Sequence, residues 1–179
     1  DLGCGNGDLL LLLQQQKQVR GYGVELAPDA IVACIEKGLS VFQGDIDEGL
    51  RDFEDNSFDY VLLNLTLPVT RRPDYVLEEM LRVGSKGVIS FANFAYWRIR
   101  LRLFVAGRMP IDENIPHEWY NTPNIHHLTL RDFTIFCRRF GVSIVDNYYF
   151  NSLDRAPVRQ NLHMPNLRAG YGLFVISKT

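Results

Sequence analysis

Three glycines at alternate positions, Gly3, Gly5 and Gly7, stand between two acids, Asp1 and Asp8, and run directly into the leucines Leu9 to Leu13. Glycine has no Cβ, so a stretch of this kind lets the backbone turn sharply and lets another molecule press against it. Few folds use such a turn. The one it fits best carries it between a buried strand and the helix that follows, and the rest of the chain must then supply alternating strands and helices.

It does so. The patterning predicts a helix over Leu9–Gln16 and a strand over Gly21–Glu25. A second helix is expected over Ala27–Lys37, with Pro28 in its first turn and Gly38 just past its end. Strands are expected at Ser40–Gln43 and at Phe58–Asn64, whose apolar run suits burial on both faces. Pro73–Val83 reads as a helix with Tyr75 or Val76, Met80 and Val83 facing the core, followed by a strand at Gly87–Asn93. Thr129 and Asp132 form a capping-box pattern that starts a helix carrying Leu130, Phe133, Cys137 and Phe140 on one stripe and ending at Gly141. Val142–Asp146 and Gly172–Lys178 are the last strands, the final one expected as an antiparallel edge. Repeated strand-helix units imply an α/β, doubly wound, mostly parallel sheet in one domain over 1–179. The segment at about 94–127 is too long for a plain connection and is expected to be a lid or insertion. Because Asp1 already sits in a strand-to-helix turn, a first strand of roughly five residues is expected upstream of it.

In such sheets ligands bind beyond the carboxyl ends of the strands, which is where the opening stretch lies. Dinucleotides and S-adenosylmethionine are the two cofactor classes that use a glycine turn there. The dinucleotide frame needs a small third residue, but the frame Gly3-x-Gly5-x-x-Asp8 places a carboxylate where a pyrophosphate would sit. Asp1, Asp8, Glu25 and Asp45 all fall at strand ends, and no Lys or Arg lies between Asp1 and Gln16 or between Gly21 and Glu36. S-adenosylmethionine is a net cation, so charge complementarity favours it. Glu25 follows Gly5 by 20 residues, the offset of an acid that accepts from ribose hydroxyls.

The order DLGCGNG, GVEL, GDID and NSFDYVLLN resembles the motifs of class I S-adenosylmethionine-dependent methyltransferases. That resemblance implies a seven-stranded, Rossmann-like sheet with an antiparallel last strand and S-adenosylmethionine or S-adenosylhomocysteine as ligand. By it, Asp1, Gly3, Gly5 and Gly7 line the methionine part and Glu25, with Leu26 beside it, holds the ribose. Asp45 and Ile46 meet the adenine, and Asn64 lies by the methyl; Asn64 can equally be read as a polar residue closing its strand. The Leu65-Thr66-Leu67 continuation lacks the Pro-Pro-aromatic tail of enzymes that methylate amino groups on bases or glutamine. More narrowly, GYGVEL, QGDIDEGL, RRPDYVLEEMLRVG and WYNTPNIHHLTLRDF resemble the methionine biosynthesis protein MetW family. This implies a part in methionine synthesis with homoserine O-acyltransferase as partner, and it supplies no methyl acceptor. The alternative is an active methyltransferase on a small molecule.

His117, Tyr120 and His126 are the weak candidates for a proton acceptor; His127 adjoins the last. No metal site is expected, because no third ligand stands at a recognised spacing. Trp97 to Leu103 with Arg108 forms a basic cluster whose favoured reading is a surface helix packed on the sheet by its apolar side, the other being a docking or acid-binding element. A net charge of -2 argues against a nucleic-acid partner. Three separated cysteines fit a reducing cytoplasm, and the longest aliphatic run is too short for a membrane.

Overall fold

The computed structural model describes residues 1–111, 115–151 and 162–179. Six strands and six α-helices are present among them. The first half runs α1 (Asp8–Lys17), β1 (Tyr22–Glu25), α2 (Pro28–Glu36), β2 (Ser40–Gln43), β3 (Phe58–Asn64) and α3 (Pro73–Val83). The second half runs β4 (Gly84–Ala92), α4 (Trp97–Ala106), α5 (Leu130–Arg139), β5 (Val142–Phe150), α6 (Pro165–Arg168) and β6 (Tyr171–Lys178). Short 3-10 turns at Ile46–Glu48 and Leu67–Val69 follow β2 and β3. Among the described residues no helix is long and apolar enough to cross a membrane.

β1 pairs in parallel with β2, and β3 in parallel with β4. The two groups meet at the opening residues. Leu2 bridges Val24 in parallel on one side, and its N–H donates to the Leu62 carbonyl at 2.9 Å on the other. Asp1–Gly3 therefore lies between β1 and β3. Next to it lies a cavity of about 630 Å³, lined by Leu2, Val24 and Leu62 and reaching Tyr22 and Phe58, where β1 and β3 begin. It is a gap between neighbouring strands, not a crevice at their carboxyl ends.

The last strand is antiparallel as expected, but it is no edge. β6 lies between β4 and β5, antiparallel to both, and β5 takes the edge with a register break between Ile144 and Asp146. The reason is apolar burial. Phe174 and Ile176 are fully buried, and the Phe174 ring packs on Phe91 and Phe133 at centroid separations of 5.6 and 4.8 Å. β5 extends to Phe150 and β4 starts at Gly84, each longer than the patterning implied. The capping box of α5 is present: Thr129 Oγ1 accepts from the Asp132 N–H at 3.1 Å, and the Asp132 carboxylate accepts from the Thr129 N–H.

Two buried polar groups tie loops to this frame. Asn93, fully buried at the end of β4, donates to the carbonyls of Asn166 and Ala169 and accepts from the N–H groups of Ala95 and Leu130. All four of its hydrogen-bonding positions are filled, which fixes the start of α5 beside β4. Glu79 on α3 accepts from the Leu50 N–H at 2.8 Å and from the Arg82 guanidinium at 2.7 and 2.9 Å. Arg82 also reaches the carbonyls of Leu50 and Phe53 and the carboxylate of Asp55, so the connection from β2 to β3 is clamped onto α3. Its Glu79 bond holds the Glu79 carboxyl below the usual range, against the opposing effect of burial and with help from the Leu50 N–H.

Candidate functional site

The glycine turn is built from three left-handed residues, with φ of 67° at Gly3, 52° at Gly5 and 76° at Gly7. The reasons for glycine differ along it. A Cβ on Gly7 would come within 2.4 Å of Leu39 Cδ1 and 2.9 Å of Cys34 Sγ, both buried, so this position serves packing. A Cβ on Gly5 would meet nothing within 4 Å, so its outer face is open to another molecule. From beneath, the Cys34 thiol donates to the Gly5 carbonyl at 3.2 Å. Cys4 lies 4.0 Å from Cys34 sulfur to sulfur, and its thiol is pushed up to about 12, by burial first and then by Cys34, so it stays protonated at neutral pH.

Glu25 stands across this turn. Its Oε2 accepts from the Gly5 N–H at 2.8 Å, and its Oε1 accepts from the N–H groups of Leu26 at 2.8 Å and Ala27 at 3.0 Å. The offset of 20 residues is thus a direct contact between the turn after the opening segment and the end of β1. A carboxylate offers about four acceptor positions, so three backbone donors fix its plane and leave room for a further one. The Leu26 side chain is exposed beside it. Asp1 closes the near side: its Oδ1 is buried and has no hydrogen-bond partner among the described residues. Such an orphaned acceptor costs about 1–3 kcal/mol until a donor reaches it.

The ring of four acids expected here is corrected to two. Lys37, at the end of α2, donates from Nζ to Asp8 Oδ1 and to the Asn6 carbonyl, both at 2.6 Å, and so neutralises Asp8. Arg71 pairs with Asp45 at 2.6 Å. Asp45 also caps the 3-10 turn that contains half-buried Ile46, accepting from the Asp47 N–H at 2.9 Å. Asp47 carries the other side of Arg71: burial pushes its carboxyl up, but the Arg71 and Arg72 N–H groups and the guanidinium outweigh that and hold it below the usual range. Asp1 and Glu25 are left without an ion pair among the described residues.

Asn64 ends β3 opposite the glycine turn. Its Oδ1 accepts from Ser90 Oγ at 2.5 Å, its carbonyl accepts from Thr66 Oγ1 at 3.0 Å, and a Cβ on Gly3 would touch Thr66 Cγ2 at 2.6 Å. Between them Leu65 holds φ of 59°, a left-handed conformation that is uncommon for any residue other than glycine and strained for leucine. Ser90, Thr66, Leu65 and Arg71 were not found from the sequence. Ser90 and Arg71 matter through partners 26 residues away, whereas Thr66 and Leu65 stand out only once the backbone at the end of β3 is seen.

The proton-acceptor candidates are not gathered here. His117 and Tyr120 are exposed, with Tyr120 edge-on to Trp119 at 5.7 Å. The His126 N–H donates to the Pro68 carbonyl, and the residue borders an apolar hollow of about 210 Å³ with Leu67, Pro73, Leu128, Phe133 and Phe136. His127 stacks on Phe94 at 4.7 Å. None of the three candidates has a hydrogen bond to the glycine turn, Glu25 or Asn64 among the described residues. Among the described residues no group of three or more His, Cys, Asp or Glu could hold a metal ion.

The basic helix departs from its favoured reading. α4 buries only Ile99, which packs with Tyr96 and Ile115 in a small cluster of its own.

Comparison with known proteins agrees with this architecture. The family described as methionine biosynthesis protein MetW matches residues 1–176. A bifunctional methionine biosynthesis protein MetXA/MetW from Rhodopirellula baltica is 35% identical over 178 residues, covering 94% of this chain and 28% of that protein. This chain therefore spans little more than a quarter of that relative. Among solved structures, an S-adenosylmethionine-dependent methyltransferase from Thermotoga maritima superposes with a TM-score of 0.73 at 16% identity, over 99% of this chain and 80% of that one. One from Mesorhizobium loti superposes with a TM-score of 0.69 at 20% identity, over 98% and 88%. At such identities the likeness is one of fold: class I, α/β and Rossmann-like.

Proposed function

The chain belongs to the methionine biosynthesis protein MetW family, with a methyltransferase-like fold, and on that premise we propose that it binds S-adenosylmethionine or S-adenosylhomocysteine at the glycine turn and acts with homoserine O-acyltransferase. The observation that carries the cofactor reading is the Gly5–Glu25 contact beneath an open glycine face, beside the orphaned Asp1 carboxylate. Those residues fit a cationic nucleoside. Asp1 offers a buried acceptor to the ammonium of the methionine part. Gly3, Gly5 and Gly7 keep the backbone low enough for it to lie close. Glu25, its plane already fixed, accepts from the ribose hydroxyls, sharing acceptor positions with its backbone donors. Leu26 and Ile46 flank the adenine, and Asp45, oriented by Arg71, meets the adenine amine. Asn64, aimed by Ser90, lies towards the sulfonium. A pyrophosphate would meet Asp1 and Glu25 unneutralised and would find Lys37 already engaged by Asp8 and Asn6.

When bound, S-adenosylmethionine supplies a methyl group on a positively charged sulfur. None of the candidate bases reaches the turn among the described residues, which supports a ligand-binding accessory role for the domain. The partnership is supported by the relative from Rhodopirellula baltica, which carries MetXA and MetW in one chain. A second reading, methyl transfer to a small molecule, draws on the apolar hollow bordered by His126 beside the Leu67–Val69 turn. A part in small-molecule metabolism fits a cytoplasmic protein.

The test is thermal unfolding of the intact natural protein with each ligand at a hundred times its dissociation constant. Binding at that excess stabilises by about 2.7 kcal/mol, a shift of roughly 5–10 °C. The shift is expected with S-adenosylmethionine or S-adenosylhomocysteine, and is expected to vanish in Glu25→Gln. A shift with NAD and none with S-adenosylmethionine overturns the reading. Acyl transfer assayed with and without this protein tests the partnership, and passage of labelled methyl to a metabolite establishes the second reading instead.

A further inference from the structure

We propose that the outward face of α4 is the surface on which the acyltransferase docks, an inference that rests on the partnership proposed above. Ile99 is 1% exposed and marks the inward side of the helix. At 3.6 residues per turn, the opposite side carries Trp97, Leu101 and Phe104, spaced i, i+4, i+7. These are 44%, 50% and 87% exposed, and Val105, on their flank, is 74% exposed. A helix of a soluble α/β domain normally turns such a stripe inward. Here the stripe faces solvent, and exposed Met109 and Ile111 continue the apolar surface past the helix end.

Charge gives the occupant its chemistry. From Phe94 to Ile111 the chain carries four arginines, at 98, 100, 102 and 108, and no Asp, Glu or Lys. None of the four forms an ion pair among the described residues. Arg100 donates to the Ala95 carbonyl and Arg102 to that of Ile111, while Arg98 lies over the Trp97 ring at 5.6 Å. The bonds made by Arg100 and Arg102 stiffen the patch, and among the described residues no acid neutralises its positive charge. Trp, Phe, Met and Arg with no Lys or acid is the composition of a protein–protein interface core. The exposed i, i+4, i+7 anchors are those of a helix laid into an apolar groove. The fitting partner is a protein with an apolar groove rimmed by Asp and Glu. A module physically joined to this one in a relative is the acyltransferase of methionine synthesis.

The experiment captures purified homoserine O-acyltransferase from the same organism on the intact protein, comparing wild type, Leu101→Asp/Phe104→Asp, Arg98→Glu and Ile35→Asp. Ile35 is an exposed apolar residue on another helix, α2. Replacing two central anchors is expected to weaken capture about 30-fold or more, the loss of a hot spot. Arg98→Glu should weaken it with a salt-dependent deficit, and Ile35→Asp should leave it unchanged. The ligand-induced thermal shift must be the same in all four, which shows that each is folded. Capture that persists in Leu101→Asp/Phe104→Asp overturns the surface while leaving the partnership standing. No capture by the wild type overturns the partnership and this inference together. Self-association of the wild type lost in the double variant, or its binding to anionic phospholipid vesicles without capture, assigns the face to a second copy or a lipid surface and likewise overturns the inference.

Discussion

Replacing Gly7 and Gly5 separately by alanine distinguishes a glycine kept for packing from one kept for a ligand. Both positions are left-handed, at φ of 76° and 52°, where an alanine costs about 1–2 kcal/mol. Part of this is offset, by about 0.4–1 kcal/mol, because alanine also restricts the unfolded chain. At Gly5 nothing else is added, since a Cβ there meets no atom within 4 Å. At Gly7 the new methyl lies 2.4 Å from Leu39 Cδ1 and 2.9 Å from Cys34 Sγ. Both neighbours belong, with Leu10, to a small buried cluster, so room must be made in a packed interior at about 1–3 kcal/mol. The net expectations are about 2–4 kcal/mol for Gly7→Ala and about 1 kcal/mol for Gly5→Ala. For a domain of this length they correspond to roughly 5–15 °C and 2–4 °C of melting temperature. Denaturant titration and thermal scans of the ligand-free proteins measure the pair. Adding S-adenosylmethionine then reverses the ranking of harm: Gly5→Ala loses the ligand-induced shift because its methyl fills the open face, and Gly7→Ala keeps part of it. Equal destabilisation by the two substitutions refutes the division, as does a full ligand shift in Gly5→Ala.

Glu79→Gln is expected to cost about 1–3 kcal/mol near pH 7, by weakening its charge-assisted bonds to Arg82. The folded-state pKa of Glu79 is lowered, so its contribution is present above the unfolded value of about 4.3 and is lost as pH falls through the folded value. Denaturant midpoints should therefore separate the variant from the wild type at pH 7 and converge at low pH; a constant separation contradicts the clamp. Asn93→Ala strands the Ala169 carbonyl and the Leu130 N–H in the interior and should destabilise by about 2–4 kcal/mol. Hydrogen exchange should show the loss concentrated at the start of α5. Thr129→Ala removes one side of the capping box at about 1 kcal/mol, measured by the same denaturant assay.

Most of the element order was legible in the sequence because the signals for it are local. Pro28 and Gly38 bracket α2, Thr129 and Asp132 start α5, and the apolar run of Phe58–Asn64 is a strand with the expected bounds. Of the candidate site, one spacing was legible. Gly5 and Glu25 were linked by their spacing, and the structure joins them at 2.8 Å, since a turn and the end of the next parallel strand are brought together by the crossover itself. The strand order of the second half was not, because β6 slips between β4 and β5 only when Phe174 finds Phe91 and Phe133.

The sequence by itself determined an alternating chain with a glycine turn at a strand end and an acid placed across it, for periodicity and turn chemistry act within a few residues. Only the tertiary structure decided the charge of the site and the fate of α4. Lys37 reaches Asp8 across 29 residues and Arg71 reaches Asp45 across 26, leaving two acids where composition along the chain had offered four. The α4 stripe would have read as buried had the sheet received it. Which charges neutralise each other, and which apolar face stays in water, depend on segments that meet only after the loops between them have closed.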